Sequence, residues 1–104
     1  MAFADNLKQL PSVAHLAAID LLDATGAVVA TIENKPGQAG SLAVYAAMAT
    51  KHGAINAAAA QEALDIYAEH TADARTNPGK HPNIDRLLNV VSQSLVLTVR
   101  ERAA

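Results

Sequence analysis

Two apolar runs flank Asp23-Ala24-Thr25-Gly26, and this pattern constrains the fold more than any other feature of the chain. Ala14 to Leu22 and Ala27 to Glu33 read as the strands of one hairpin. Gly26 supplies the positive φ that a tight connection needs. In the second strand Val28, Ala30 and Ile32 share one face, with Val29, Thr31 and Glu33 on the other. In the first, Ile19 and Leu21 alternate with Asp20. A lone hairpin is marginal in water, so the rest of the chain has to cover its apolar face.

The remaining segments supply that cover. Ala2 to Gln9 reads as a short helix with Phe3 and Leu7 on one face and Pro11 as its stop. After the loop Asn34 to Gly40, Ser41 reads as the N-cap of a helix that ends at Gly53 and places Leu42, Tyr45, Ala46 and Ala49 on one face. Asn56 reads as the cap of a further helix. The dominance of Ala, Glu and Leu predicts that it runs unbroken to about Asn77. The alternative is a helix to Ala63 and a strand over 64–71. Pro82 suits the first turn of another helix, with Ile84, Leu87, Leu88 and Val91 as its stripe. Leu95 to Arg102 reads as a closing strand, with Leu95, Leu97 and Val99 inward and Thr98, Arg100 and Arg102 outward. The order α-β-β-α-α-α-β predicts an α+β fold in one domain, residues 1–104: a small, mainly antiparallel sheet with helices on one face.

Composition narrows the function classes. Over 104 residues, 51% are hydrophobic, only 3% are aromatic and none is cysteine. Disulfides, thiol catalysis and cysteine-ligated metals are thereby excluded. No signal-peptide pattern opens the chain, and Asp20, Asp23 and Gly26 interrupt its longest apolar stretch, so no membrane role and a cytoplasmic location are expected. Charge is segregated. Residues 1–74 carry three lysines against eight acids, a net −5; residues 75–104 carry five bases against two acids, a net +3. The basic end suits an acidic ligand or partner. It is too sparse and too poor in aromatics for nucleic acid. Opposed charges and an alanine-rich surface lead us to expect a homodimer.

Three stretches carry side chains with chemistry. The first is Lys35-Pro36-Gly37-Gln38-Ala39-Gly40-Ser41, a glycine-rich strand-to-helix loop. Free N–H groups at a helix start, with a lysine beside them, can hold a phosphate or carboxylate, and Lys35, Gly37, Gly40 and Ser41 are the candidate anion ligands. No Gly-Lys-Ser/Thr ending and no G-x-G-x-x-G occurs, and a plain tight turn explains the same residues. The second is Glu69-His70-Thr71-Ala72-Asp73-Ala74-Arg75. Glu69, His70 and Asp73, with His81 and Asp85 from the next loop, form a candidate polar or metal cluster. The i, i+4 histidine spacing of zinc helices is missing, and a charged helix end explains these residues equally. The third is Asn77 to Arg86, stiffened by Pro78, Gly79 and Pro82. There His81 can exchange protons, with Asp73 or Asp85 orienting it and Ser41 as a conceivable nucleophile, although a helix start accounts for the same stretch.

Ile32 to Leu42, and the run from Glu69 through Arg75 to Pro78-Gly79-Lys80-His81-Pro82-Asn83-Ile84-Asp85-Arg86-Leu87-Leu88, resemble a family of small bacterial proteins of unknown function. The resemblance spans nearly the whole chain and implies a bacterial cytosolic protein; it brings no activity with it. Asn34-Lys35-Pro36-Gly37, the helix from Ser41 and His52-Gly53-Ala54-Ile55-Asn56 are also similar to part of the ACT-type regulatory domains, which bind amino acids. That likeness covers about a quarter of the chain and is limited to turn and helix chemistry. Gln38-Ala39-Gly40 is an insertion against that pattern, and Ala57 to Ala60 stands where it expects a strand.

Two functional classes follow. One is a non-catalytic binding or interaction module that senses a small anionic metabolite, with no cofactor. The other is a small hydrolase, metal-dependent or histidine-based, that uses Glu69, His70, Asp73 and His81. They separate on whether His70, His81 and a carboxylate converge in a concave site.

Overall fold

A computed structural model describes residues 2–104. The hairpin forms as its turn chemistry dictates, from β1 (Leu16–Leu22) and β2 (Val28–Glu33). Asp23 Oδ1 accepts hydrogen bonds from the Thr25 and Ala27 amides, at 2.9 and 3.1 Å, and Gly26 takes φ +85°. The last strand, β3 (Thr98–Ala103), pairs antiparallel with the other edge of β1, giving the order β2-β1-β3. Register places Ile19 opposite Ile32 on one side and Glu101 on the other.

Among the described residues, five helices complete the fold: α1 (Phe3–Leu7), α2 (Ala39–His52), α3 (Ala57–Tyr67), α4 (Glu69–Thr76) and α5 (Pro82–Gln93). Helix α2 lies on the sheet and contacts all three strands, while α3 packs behind it against α1 and α5. Ile19, Leu21 and Ile32 from the sheet, Leu42, Val44 and Tyr45 from α2, and Ile84, Leu87 and Val90 from α5 are all buried in one core. The expected α+β architecture, an antiparallel sheet with helices packed against it, is the one observed. Among the described residues, no helix is long and apolar enough to cross a membrane.

Local signals hold where a side chain acts on its own neighbours. Asn56 Oδ1 accepts from the Ala59 amide at 2.9 Å and caps α3, Gly53 ends α2 at φ +82°, and Pro82 opens α5. Four expectations need correction. Ser41 is not the N-cap of α2: the helix starts at Ala39 behind Gln38, whose Oε1 accepts from the Glu33 amide at 3.2 Å. The long helix from Asn56 is broken at Ala68, where φ is +51°, and no strand occupies 64–71. Thr71 Oγ1 donates to the Leu64 carbonyl at 2.6 Å across the break, so a buried acceptor keeps a partner. On α5 it is Val90 that is fully buried, with Leu88 and Val91 half-covered at the flanks. Finally, Leu95 is 39% exposed rather than inward, because Ser94 ends α5 in a left-handed turn and β3 begins only at Thr98.

The sheet face opposite the helices carries the main electrostatic surprise. Asp20 has no exposed surface, and it is the central strand's own acid. Its Oδ1 accepts from Thr31 Oγ1 at 2.8 Å. Its Oδ2 accepts from Arg100 Nε and Nη2 at 3.1 and 2.8 Å and from Arg102 Nε at 2.9 Å. The two guanidinium groups hold its carboxyl far below the usual carboxylate range. The segregated charge seen in the sequence is thus joined within the chain, across the sheet.

Candidate functional site

The three stretches singled out in the sequence meet at one cleft of about 240 Å³. Gly37 and Ser41 reach it from the start of α2, His70 from α4, and Lys80 and His81 from the loop before α5. Phe3 and Tyr67 complete its apolar wall. The break at Ala68 makes this possible. It ends α3 with Tyr67 turned into the protein and restarts the chain so that His70 stands beside it.

The wall is an aromatic stack. Phe3 lies on Tyr67 with ring centroids 5.0 Å apart, and His70 meets Phe3 edge-on at 5.1 Å. The His81 ring follows, 5.6 Å from His70. The backbone N–H of Phe3 donates to Glu69 Oε1 at 2.8 Å, which fixes α1 over the cleft and holds the Glu69 carboxyl low. Tyr67 Oη donates to Ser41 Oγ at 2.7 Å, and burial pushes the Tyr67 phenol up.

Asp73 stands behind the cleft and organises its basic side chains. Its Oδ2 receives His81 Nε2 at 2.7 Å and Lys80 Nζ at 3.0 Å, and Asn77 Nδ2 donates to Oδ1 at 2.9 Å. The hydrogen bond from His81, then that from Lys80, lowers the Asp73 carboxyl to about 2. An ionised carboxylate only accepts, so His81 Nε2 is the donor to Asp73. The first turn of α5 is fixed from below. Tyr45 Oη donates to the Asn83 carbonyl, and Arg86 Nη1 donates to Tyr45 Oη and Asn83 Oδ1 at 3.2 and 2.9 Å. Burial pushes the Tyr45 phenol up to about 12.

Other expected ligands point elsewhere. Lys35 pairs with Glu33. Gly40 faces α1, where a Cβ would sit 3.4 Å from the side chains of Leu7 and Phe3, so its smallness serves close packing. Glu69 is engaged by Phe3, and Asp85 Oδ2 accepts from the Gly79 amide at 2.9 Å. The five-residue cluster of Glu69, His70, Asp73, His81 and Asp85 therefore does not close. No three His, Cys, Asp or Glu residues among those described are placed to hold a metal ion. Ser41 and His81 share the cleft, yet Ser41 Oγ is engaged by Tyr67.

Phe3, Tyr45 and Tyr67 escaped the sequence reading as site residues. They are all of the aromatics in a chain with one Phe, two Tyr and no Trp, and that scarcity was the available signal.

The chain matches, over residues 3–101, the family described as an uncharacterized protein conserved in bacteria (DUF2322). The protein belongs to that family. No curated protein and no solved structure matches it. The partial likeness to ACT-type domains finds no support among these comparisons, and Ala57 to Ala60 form the first turn of α3.

Proposed function

We propose that this protein is a non-catalytic binding module for a small anionic metabolite, and that the cleft beneath Phe3 is its site. One observation carries the reading: Lys80, His70, His81 and the Ser41 hydroxyl line a single cleft, and among the described residues no Asp or Glu lines it, Asp73 lying behind Lys80 and His81. The start of α2, which brings Gly37 and Ser41 to the hollow, adds the positive end of its helix dipole. The stacked Phe3 and Tyr67 rings favour a ligand with a flat or apolar portion beside its charged group. The anion ligands are thus revised: Gly37 and Ser41 stay, and Lys80, His70 and His81 take the places first given to Lys35 and Gly40.

Native mass spectrometry of freshly purified protein, paired with NMR of the His70 and His81 rings, tests this. A retained anionic mass that is lost in Lys80→Ala or His81→Asn supports it. A bare mass, with no saturable ring shifts on adding phosphate or small carboxylates, removes it.

The Asp73–His81 pair favours a second reading, a histidine-based hydrolase, because an oriented imidazole facing a cleft is what general-base chemistry requires. Against it stands the engagement of Ser41 by Tyr67. Turnover of an activated ester that vanishes in His81→Asn decides for the enzyme. A bacterial cytoplasmic setting fits a cysteine-free chain. Homodimerisation draws support from the two open sheet edges, β2 and β3, although Asp20 already uses part of the basic segment.

A further inference from the structure

We infer a second binding site, for an aliphatic carboxylate of the medium-chain fatty acid class, in the groove between the hairpin turn and the α5–β3 connection. The groove measures about 620 Å³, within the range of small-molecule sites. Its walls include Val29, Leu95 and Val96, exposed by 50%, 39% and 52%, although each is a large apolar side chain. Three such side chains around one hollow form a patch, and patches of this kind mark binding sites more often than scattered exposed residues do.

Arg86 sets the charge of the occupant. Its side chain is half-buried on the groove wall, and Nη1 is engaged by Tyr45 and Asn83. Among the described residues, no Asp or Glu oxygen lies within 4.0 Å of it. Arg100 and Arg102, by contrast, are both paired with Asp20. A guanidinium withdrawn from water without a counter-ion is complementary to a carboxylate, which it can grip through its remaining N–H groups. The groove's one acid, Asp23, does not serve as that counter-ion. Among the described residues no ion pair joins it to Arg86, and its Oδ1 is tied to the turn by the Thr25 amide, the Thr25 hydroxyl and the Ala27 amide. A ligand with an alkyl chain along Val29, Leu95 and Val96 and its carboxylate at Arg86 satisfies both features at once.

The test is an amide NMR titration of the full chain with sodium decanoate, kept below its micelle concentration, alongside decanol. Saturable shifts at Val29 and 95–97, with decanol binding about tenfold or more weaker, support the site. The same loss of decanoate affinity is expected in Arg86→Met, which keeps the bulk and removes the charge. Val96→Asp, at an exposed position that leaves the core intact, gives the same loss should Arg86→Met fail to fold. Four outcomes overturn the inference. One is no saturable shift. Another is equal binding of decanol and decanoate. A third is shifts confined to the His70–His81 cleft. The fourth is movement of the groove signals with protein concentration alone, which assigns the groove to a second copy of the chain.

Discussion

Two acids of this protein, Asp20 and Asp73, each gather two basic side chains, and the two clusters do opposite work. Asp20 has no exposed surface; the arginines donate to one of its oxygens and Thr31 to the other, so the cluster is closed. Asp73 retains 37% exposure on its side chain and draws a histidine and a lysine that each keep donor or acceptor capacity to spare. The first arrangement staples strand to strand. The second aims two basic groups into a cleft. A charge cluster reads as structural when the acid at its centre is buried and partnered on both oxygens, and as functional when its basic members face a cleft.

The sharpest way to break this comparison is Asp20→Asn. It leaves two arginines facing a neutral amide at the centre of the sheet. The expected loss is on the order of 10 °C in Tm by thermal circular dichroism, with the cleft resonances unchanged in the folded state. A small loss would place Asp20 among the ornamental surface pairs. Acid separates the two clusters by order. A carboxyl lowered on folding stabilises above its unfolded value, and that contribution goes as pH falls through its folded value. The ordinary value is 3.8 for both; Asp73 lies at about 2 and Asp20 lower still. Carboxyl carbon NMR should therefore show Asp73 protonating first, the cleft opening while the sheet cluster holds. Ala68→Gly sharpens the contrast from the other side. A non-glycine residue at φ +51° is strained, and the strain lies at the break that builds the cleft. Relieving it should stabilise the protein by about 1 kcal/mol in chemical denaturation. The smallest stability change belongs to Lys80→Ala. Its ammonium is largely solvated, so Tm should stay within about 2 °C, while phosphate or carboxylate binding weakens about threefold or more.

What could be read from the sequence follows the reach of each interaction. The hairpin turn, Asn56, Gly53 and Pro82 act within a few residues, and each appears where its chemistry predicts. Ala68 gives no warning, since alanine is the best helix former; the break is imposed by Tyr67 entering the cleft and Thr71 bridging back to Leu64. Asp20 was visible as a polar residue between Ile19 and Leu21, yet its burial depends on arginines about 80 positions away. The site divides the same way. Gly37, Ser41, His70 and His81 were each recognisable by type and setting, but in three separate stretches. Their convergence, and the diversion of Lys35 to Glu33 and of Gly40 to α1, depend on how the helices pack.

The order of the strands bears on how the chain is made. β1 lies at the centre of the sheet, but one of its neighbours is the last element in the sequence. On the ribosome, the hairpin and all five helices precede β3, so Asp20 still faces water on its far side and one long edge of β1 is bare. Only when Arg100 and Arg102 leave the tunnel can the sheet close. Until then the nascent chain offers an unpaired strand edge to its neighbours, so pausing or truncation just before residue 98 should be where this small protein is most prone to aggregate.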